Sequence, residues 1–125
     1  MKRLIMTVDD SASMRQAVGQ TLRRGGYSVV EAHDGTLALQ LLEQTCVHLL
    51  ITDLNMPEMG GLELVRKVRA LPQYRFLPIL LLTTESQHSK KEEARLAGAS
   101  GWIVKPFAPE QLLKALQRLL PTDEP

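Results

Sequence analysis

Two hydrophobic periods alternate from one end of this chain to the other, and that alternation limits the fold more than any other feature. Short apolar runs rich in Val, Ile and Leu occupy residues 4–8, 28–32, 47–52, 78–83 and 101–104. Each has the length of a strand buried on both faces. Between the runs, apolar residues fall at helical spacing: Met14, Ala17, Val18, Thr21, Leu22; then Leu37, Ala38, Leu41, Leu42; then Leu62, Val65, Val68; finally Leu112, Leu113, Leu116, Leu119, Leu120. Strands that alternate with helices in this way pair in parallel through right-handed crossovers, with helices on both faces of the sheet. The expected fold class is therefore α/β, a doubly wound five-stranded parallel sheet.

Punctuation agrees with that pattern. Gly25–Gly26 and Gly98 stand where helices should stop, Asp34–Gly35 reads as a turn, and Pro109 suits the first turn of the last helix. Residues 86–97 differ, because Gln87, His88, Ser89, Lys90, Lys91, Glu92, Glu93 and Arg95 leave little apolar stripe beyond Ala94, Leu96 and Ala97. This should be the least anchored helix, either a solvated face or a mobile contact surface.

A chain of 125 residues with 44% apolar side chains suffices for one core and leaves no room for a second domain. Residues 1–121 are expected to form that domain and 122–125 a polar C-terminal tail. A formal charge of +1 gives no general attraction to nucleic acid or to an anionic membrane, so partners must be chosen by local surface. Cys46 is the single cysteine, which excludes an internal disulfide and favours a reducing compartment. Apolar runs such as Leu77 to Leu82 are far too short to span a bilayer. The expected location is cytoplasmic.

In open parallel sheets, ligands bind outside the carboxyl ends of the strands. Here the first strand ends in Asp9–Asp10, the third in Asp53, the fourth in Thr83, and the fifth in Lys105–Pro106. Each has a plainer reading on its own: Asp9–Asp10 as a helix cap, Asp53 as a turn residue before Asn55–Met56–Pro57, Lys105 as an exposed lysine, Thr83 as a strand residue. Their position on one edge of one sheet argues for a common site. Three adjacent carboxylates repel unless a cation joins them, and hard oxygen donors with no Cys or His at ligand spacing favour Mg²⁺ over Zn²⁺. A carboxylate, a divalent cation, a lysine and a hydroxyl make up a phosphoryl-transfer site in which the carboxylate is the acceptor. Without a Gly-rich loop of Walker type, nucleotide is not the expected donor.

The stretches Val8–Asp9–Asp10–Ser11, Asp53–Leu54–Asn55–Met56–Pro57 with Gly61 after it, Leu82–Thr83–Thr84–Glu85, and Ala97–Gly98–Ala99 leading into Gly101–Trp102–Ile103–Val104–Lys105–Pro106–Phe107 resemble the receiver domain of bacterial two-component response regulators, in its short single-domain chemotaxis form. The resemblance covers the chain from about Arg3 to Leu120. It implies a flavodoxin-like (βα)5 fold with strand order 2-1-3-4-5; that order belongs to the family's fold and is not read from periodicity. It also implies Asp53 as phosphoacceptor, Asp10, Asp53 and the Asn55 backbone carbonyl as direct Mg²⁺ ligands, Asp9 acting through water, Thr83 and Lys105 meeting the phosphoryl group, and a cis Lys105–Pro106 peptide. Thr83 and Trp102 would form the switch, with Trp102 standing where Tyr or Phe is more usual. Asn55 and Glu85, polar as in the chemotaxis type, would flank the path of attacking water and allow fast self-dephosphorylation. Gly60 replaces an acidic residue often found there, which would loosen the loop after Asp53.

The resemblance further implies a histidine kinase of the chemotaxis type as phosphodonor and a separate target, such as the flagellar motor switch, binding the face of the fourth helix, fifth strand and fifth helix. Candidate contacts there are His88, Lys91, Trp102, Gln111 and Arg118. No DNA-binding domain and no membrane partner are expected, and the chain is read as a switch rather than an enzyme. An aspartyl-phosphate phosphatase of the haloacid dehalogenase type would want Asp where Asn55 stands. A flavin carrier of the same topology would want a hydroxyl-rich phosphate loop where Asp9–Asp10 stand.

Overall fold

β1 (Leu4–Val8), α1 (Ala12–Arg24), β2 (Ser28–Ala32), α2 (Gly35–Gln44), β3 (Leu49–Thr52), α3 (Gly61–Ala70), a 3₁₀ turn (Pro72–Tyr74), β4 (Ile79–Thr83), α4 (His88–Ala97), β5 (Gly101–Val104) and α5 (Pro109–Leu119) follow one another in the computed structural model. The structure describes residues 2–120, so the tail read at 122–125, with Pro121, lies outside the described residues. The strands form one parallel sheet in the order β2-β1-β3-β4-β5. The fold is the α/β, flavodoxin-like arrangement that the alternating periods and the family resemblance imply.

Period two in the strands divides the core into two layers. Met6 and Val8 of β1 join Leu50, Ile79, Leu42, Leu64, Val65 and Val68 beneath α2 and α3. Ile5 joins Leu49, Ile51, Leu80, Leu82 and Ile103 on the other face, against Val18 and Leu22 of α1 and Leu112 and Leu116 of α5. A third, small cluster of Leu54, Leu81 and Ala94 receives the half-buried Trp102.

Local hydrogen bonds move several boundaries from their expected places. Asp34–Gly35 is a helix start rather than a free turn, since the Asp34 carboxylate accepts from the Leu37 N–H at 2.8 Å and Gly35 is the first residue of α2. β3 begins at Leu49, two residues later than the apolar run, because the Val47 N–H donates to the Tyr74 hydroxyl at 3.3 Å. α4 begins at His88 rather than Ser86, the Gln87 N–H being held by the Glu85 carboxylate at 3.2 Å. Ala94 is its one buried residue, which agrees with the weak anchoring expected of it.

What α4 lacks in burial it gains at its C-terminus. Gly98 caps it in the left-handed region at φ 115°, a conformation that favours glycine. The Arg69 guanidinium of α3 donates to the Gly98 carbonyl at 2.7 and 3.2 Å and to the Tyr74 carbonyl at 3.0 Å.

Tyr74 is buried and its hydroxyl serves two connections at once, donating to the Thr45 carbonyl at 2.8 Å and accepting from Val47. Tyr74→Phe should therefore leave a carbonyl and an N–H of the α2–β3 connection without their partner. The expected loss is about 1–3 kcal/mol in urea denaturation; unchanged stability would show that water replaces the hydroxyl.

Candidate functional site

The parallel topology carries β1, β3, β4 and β5 to the same edge with their carboxyl ends together. Backbone hydrogen bonds then fix the first residues beyond that edge. The Asp9 N–H donates to the Ala32 carbonyl at 3.2 Å, the Asp53 N–H to the Val8 carbonyl at 3.1 Å, and the Lys105 N–H to the Thr83 carbonyl at 2.8 Å. Asp9 and Asp10 do not cap α1; Ser11 does, its Oγ accepting from the Met14 N–H at 3.2 Å. Both carboxylates remain at the site.

Lys105 is not an exposed strand-end lysine. Its side chain retains 9% exposure, and Nζ donates to Asp9 Oδ2 at 2.7 Å and to Asp53 Oδ2 at 3.3 Å. Asp53 Oδ1 accepts from the Leu54 N–H at 2.7 Å and the Asn55 N–H at 3.3 Å, while Asp9 Oδ1 accepts from the Ser11 N–H at 3.0 Å. Asp10 is exposed. The Lys105–Pro106 peptide is cis.

Carboxylate oxygens of Asp9, Asp10 and Asp53 lie within 4.8 Å of one another. Octahedral Mg²⁺ at 2.0–2.1 Å from its ligands places neighbouring oxygens about 3 Å apart and opposite ones about 4.2 Å apart. A span of 4.8 Å is close to that geometry, and the all-oxygen donor set suits a hard cation.

Thr83 closes β4 with no exposure, and its Oγ1 accepts from the Glu85 N–H at 3.2 Å. Its hydroxyl proton is left to donate elsewhere. Glu85 is half-buried and Asn55 exposed. Along the neighbouring strand pair, Leu81 is in register with Trp102 and Thr83 with Val104.

Of the five residues expected on the partner face, His88, Lys91 and Trp102 line a single cavity of about 340 Å³ between α4 and β5. Gln111 and Arg118 are exposed on α5 and do not line it.

Two contacts at the site could not be read from the sequence. Gly61, part of the motif that follows Asp53, packs directly on the end of β3. Its N–H donates to the Leu54 carbonyl at 2.8 Å, and a Cβ there would lie 2.3 Å from the Asp53 carbonyl oxygen. The left-handed residue of that loop is Glu58, at φ 67°. Arg15 donates to the Asp9 carbonyl at 2.5 Å, a contact between α1 and the site that no spacing announces.

A parallel α/β sheet with an acidic triad and a bridging lysine at its carboxyl edge defines a class, and the comparisons agree. The family model described as "Response regulator receiver domain" matches residues 5–117, and the chain belongs to that family. Within it the chain is similar to chemotaxis proteins. A chemotaxis protein CheY homolog of Campylobacter jejuni is 46% identical over 120 residues, covering 94% of this chain and 92% of that protein. The structure of the Vibrio cholerae chemotaxis protein CheY4 matches with a TM-score of 0.93 at 49% identity, over 96% of this chain and 100% of that one. The receiver domain of the Pseudomonas aeruginosa sensor histidine kinase PA1611, solved with a magnesium ion coordinated in its active-site cleft, matches with a TM-score of 0.89 at 27% identity, over 98% of this chain and 100% of that one.

Burial works to lower the Lys105 pKa and is the largest single influence on it. The hydrogen bond to Asp9 and the charges of Asp53 and Asp9 together outweigh burial, so the net shift is upward. A raised folded-state value means that the stabilisation is complete below the ordinary lysine value of about 10.4 and is lost as pH rises through the raised one. In EDTA, wild type should melt above Lys105→Met at neutral pH, with the gap closing on the alkaline side. A gap that stays constant into alkaline pH would contradict the ion pairs.

Proposed function

We propose that this chain is a phosphorylation-controlled switch of a chemotaxis-type two-component pathway, working in the cytoplasm. The observation that carries the reading is the Lys105 ammonium held between Asp9 and Asp53. A lysine so placed offsets negative charge beside the acceptor and is within reach of oxygens that arrive on it.

A histidine kinase bearing a phosphorylated imidazole is the donor. An oxygen of Asp53 attacks phosphorus, the P–N bond breaks, and the imidazole leaves with the electron pair and takes up a proton. Lys105 then turns from the carboxylates to the phosphoryl oxygens, and the free proton of the Thr83 hydroxyl donates to another of them. Mg²⁺ bound by Asp9, Asp10, Asp53 and the Asn55 carbonyl would neutralise charge on the transferring group. Asn55 and Glu85 flank the approach of hydrolytic water and keep the phosphorylated state short-lived.

Readout follows the strand pair β4–β5. Drawing Thr83 toward the phosphoryl group alters the packing beside Trp102, and the half-buried indole shifts relative to the α4–β5 cavity. The face carrying His88, Lys91, Trp102, Gln111 and Arg118 then changes its affinity for a separate target such as a flagellar motor switch protein. The phosphoryl group shifts a pre-existing equilibrium to the extent that it favours one state.

Acetyl phosphate with Mg²⁺ should add one phosphoryl group to the wild-type chain, and both Asp53→Asn and chelation should abolish the mass increase. Continued labelling of the variant would remove Asp53 from the role of acceptor. The adduct should decay within minutes in Mg²⁺; persistence for hours would count against the roles of Asn55 and Glu85.

A further inference from the structure

Asp9 is restrained at four atoms. Its N–H is held by β2 through the Ala32 carbonyl, Oδ1 by the Ser11 N–H, Oδ2 by Lys105, and its carbonyl oxygen by the Arg15 guanidinium at 2.5 Å. The first three fix the residue and its side chain. The fourth fixes the plane of the peptide that leads into Asp10, whose own side chain is exposed.

Arg15 is itself held. Its side chain is 17% exposed, and its Nε lies 3.4 Å from Glu31 Oε1 on the edge strand β2, while Arg23 approaches the other oxygen of Glu31 at 4.0 Å. A planar, forked guanidinium can grip a carbonyl and a carboxylate together with little residual freedom, which an ammonium on a flexible stem cannot. The clamp joins α1, β2 and the end of β1.

We infer that Arg15, anchored by Glu31, is a positioning residue for the divalent-cation site: by gripping the Asp9 carbonyl it orients the Asp9–Asp10 peptide and so aims the Asp10 carboxylate at the cation. The inference rests on the reading of the acidic triad as a Mg²⁺ site. It has a consequence opposite to that of charge alone. A guanidinium beside three carboxylates repels an incoming cation, so simple electrostatics predicts that removing it tightens Mg²⁺ binding. Positioning predicts that removing it weakens binding, because outer partners that orient ligands typically govern affinity by tenfold or more.

Mg²⁺ affinity of the wild type, Arg15→Gln and Arg15→Lys should be measured by calorimetric titration at low and at moderate salt, with the Asp10 amide resonance followed in parallel. The expected result is about tenfold weaker binding for Arg15→Gln, weaker binding also for Arg15→Lys, and a displaced Asp10 resonance before any Mg²⁺ is added. The amide spectra also show that each variant is folded. Tighter or equal binding in Arg15→Gln, or full retention of affinity in Arg15→Lys, would overturn the inference while leaving the site itself intact. A wild-type chain that failed to bind Mg²⁺ would overturn both.

Discussion

One ammonium between two carboxylates is the interaction on which the site depends. Two unit charges about 4 Å apart repel by about 1 kcal/mol in water and by about 4 kcal/mol at the effective dielectric constant typical of pairs near a protein surface. Asp9 and Asp53, 4% and 9% exposed, could not be placed together by β1 and β3 without a compensating charge. Lys105 supplies it from β5, across the intervening β4, and so ties three strand ends into one constellation. The parallel sheet is what makes this geometry available, since it brings every carboxyl end to one edge. The same arrangement leaves the third carboxylate, Asp10, exposed, with an oxygen within 4.8 Å of the other two.

Around that fixed edge the packing is uneven. β3 and β4 are buried along their whole length, and α3 and α5 each bury several residues. α4 buries Ala94 alone, and its N-cap, Gln87, makes no side-chain hydrogen bond to the helix. Its C-terminus, by contrast, is held by the Arg69 guanidinium through the Gly98 carbonyl. A helix pinned at one end and thinly packed along its length is an element suited to two arrangements. It borders the cavity that Trp102 lines, which is where a switch proposed for this chain would need such freedom.

The strands and the site edge were legible because they depend on short-range pattern. β1, β2 and β5 fall where their apolar runs begin and end, and Asp9, Asp10, Asp53, Thr83 and Lys105 are strand-end residues once the sheet is parallel. What could not be read depends on contacts between residues far apart in sequence. Val47 leaves the strand because Tyr74 claims its N–H from 27 positions away. Gly61 must be glycine because the Asp53 carbonyl occupies the space of its Cβ, a crowding invisible until loop and strand are superposed in space. The start of α2 is a subtler case: Asp34 and Gly35 carry turn chemistry, and the same carboxylate that would close a turn instead caps a helix.

Whether Asp53 is the acceptor is decided by locating the phosphoryl group chemically. The chain phosphorylated in Mg²⁺ should be reduced with borohydride, which converts an acyl phosphate to the alcohol, and its peptides sequenced by mass spectrometry. Homoserine is expected in place of Asp53, with Asp9 and Asp10 unmodified. Reduction at either of those two residues, or a phosphoryl group on nitrogen that survives borohydride, would contradict that assignment.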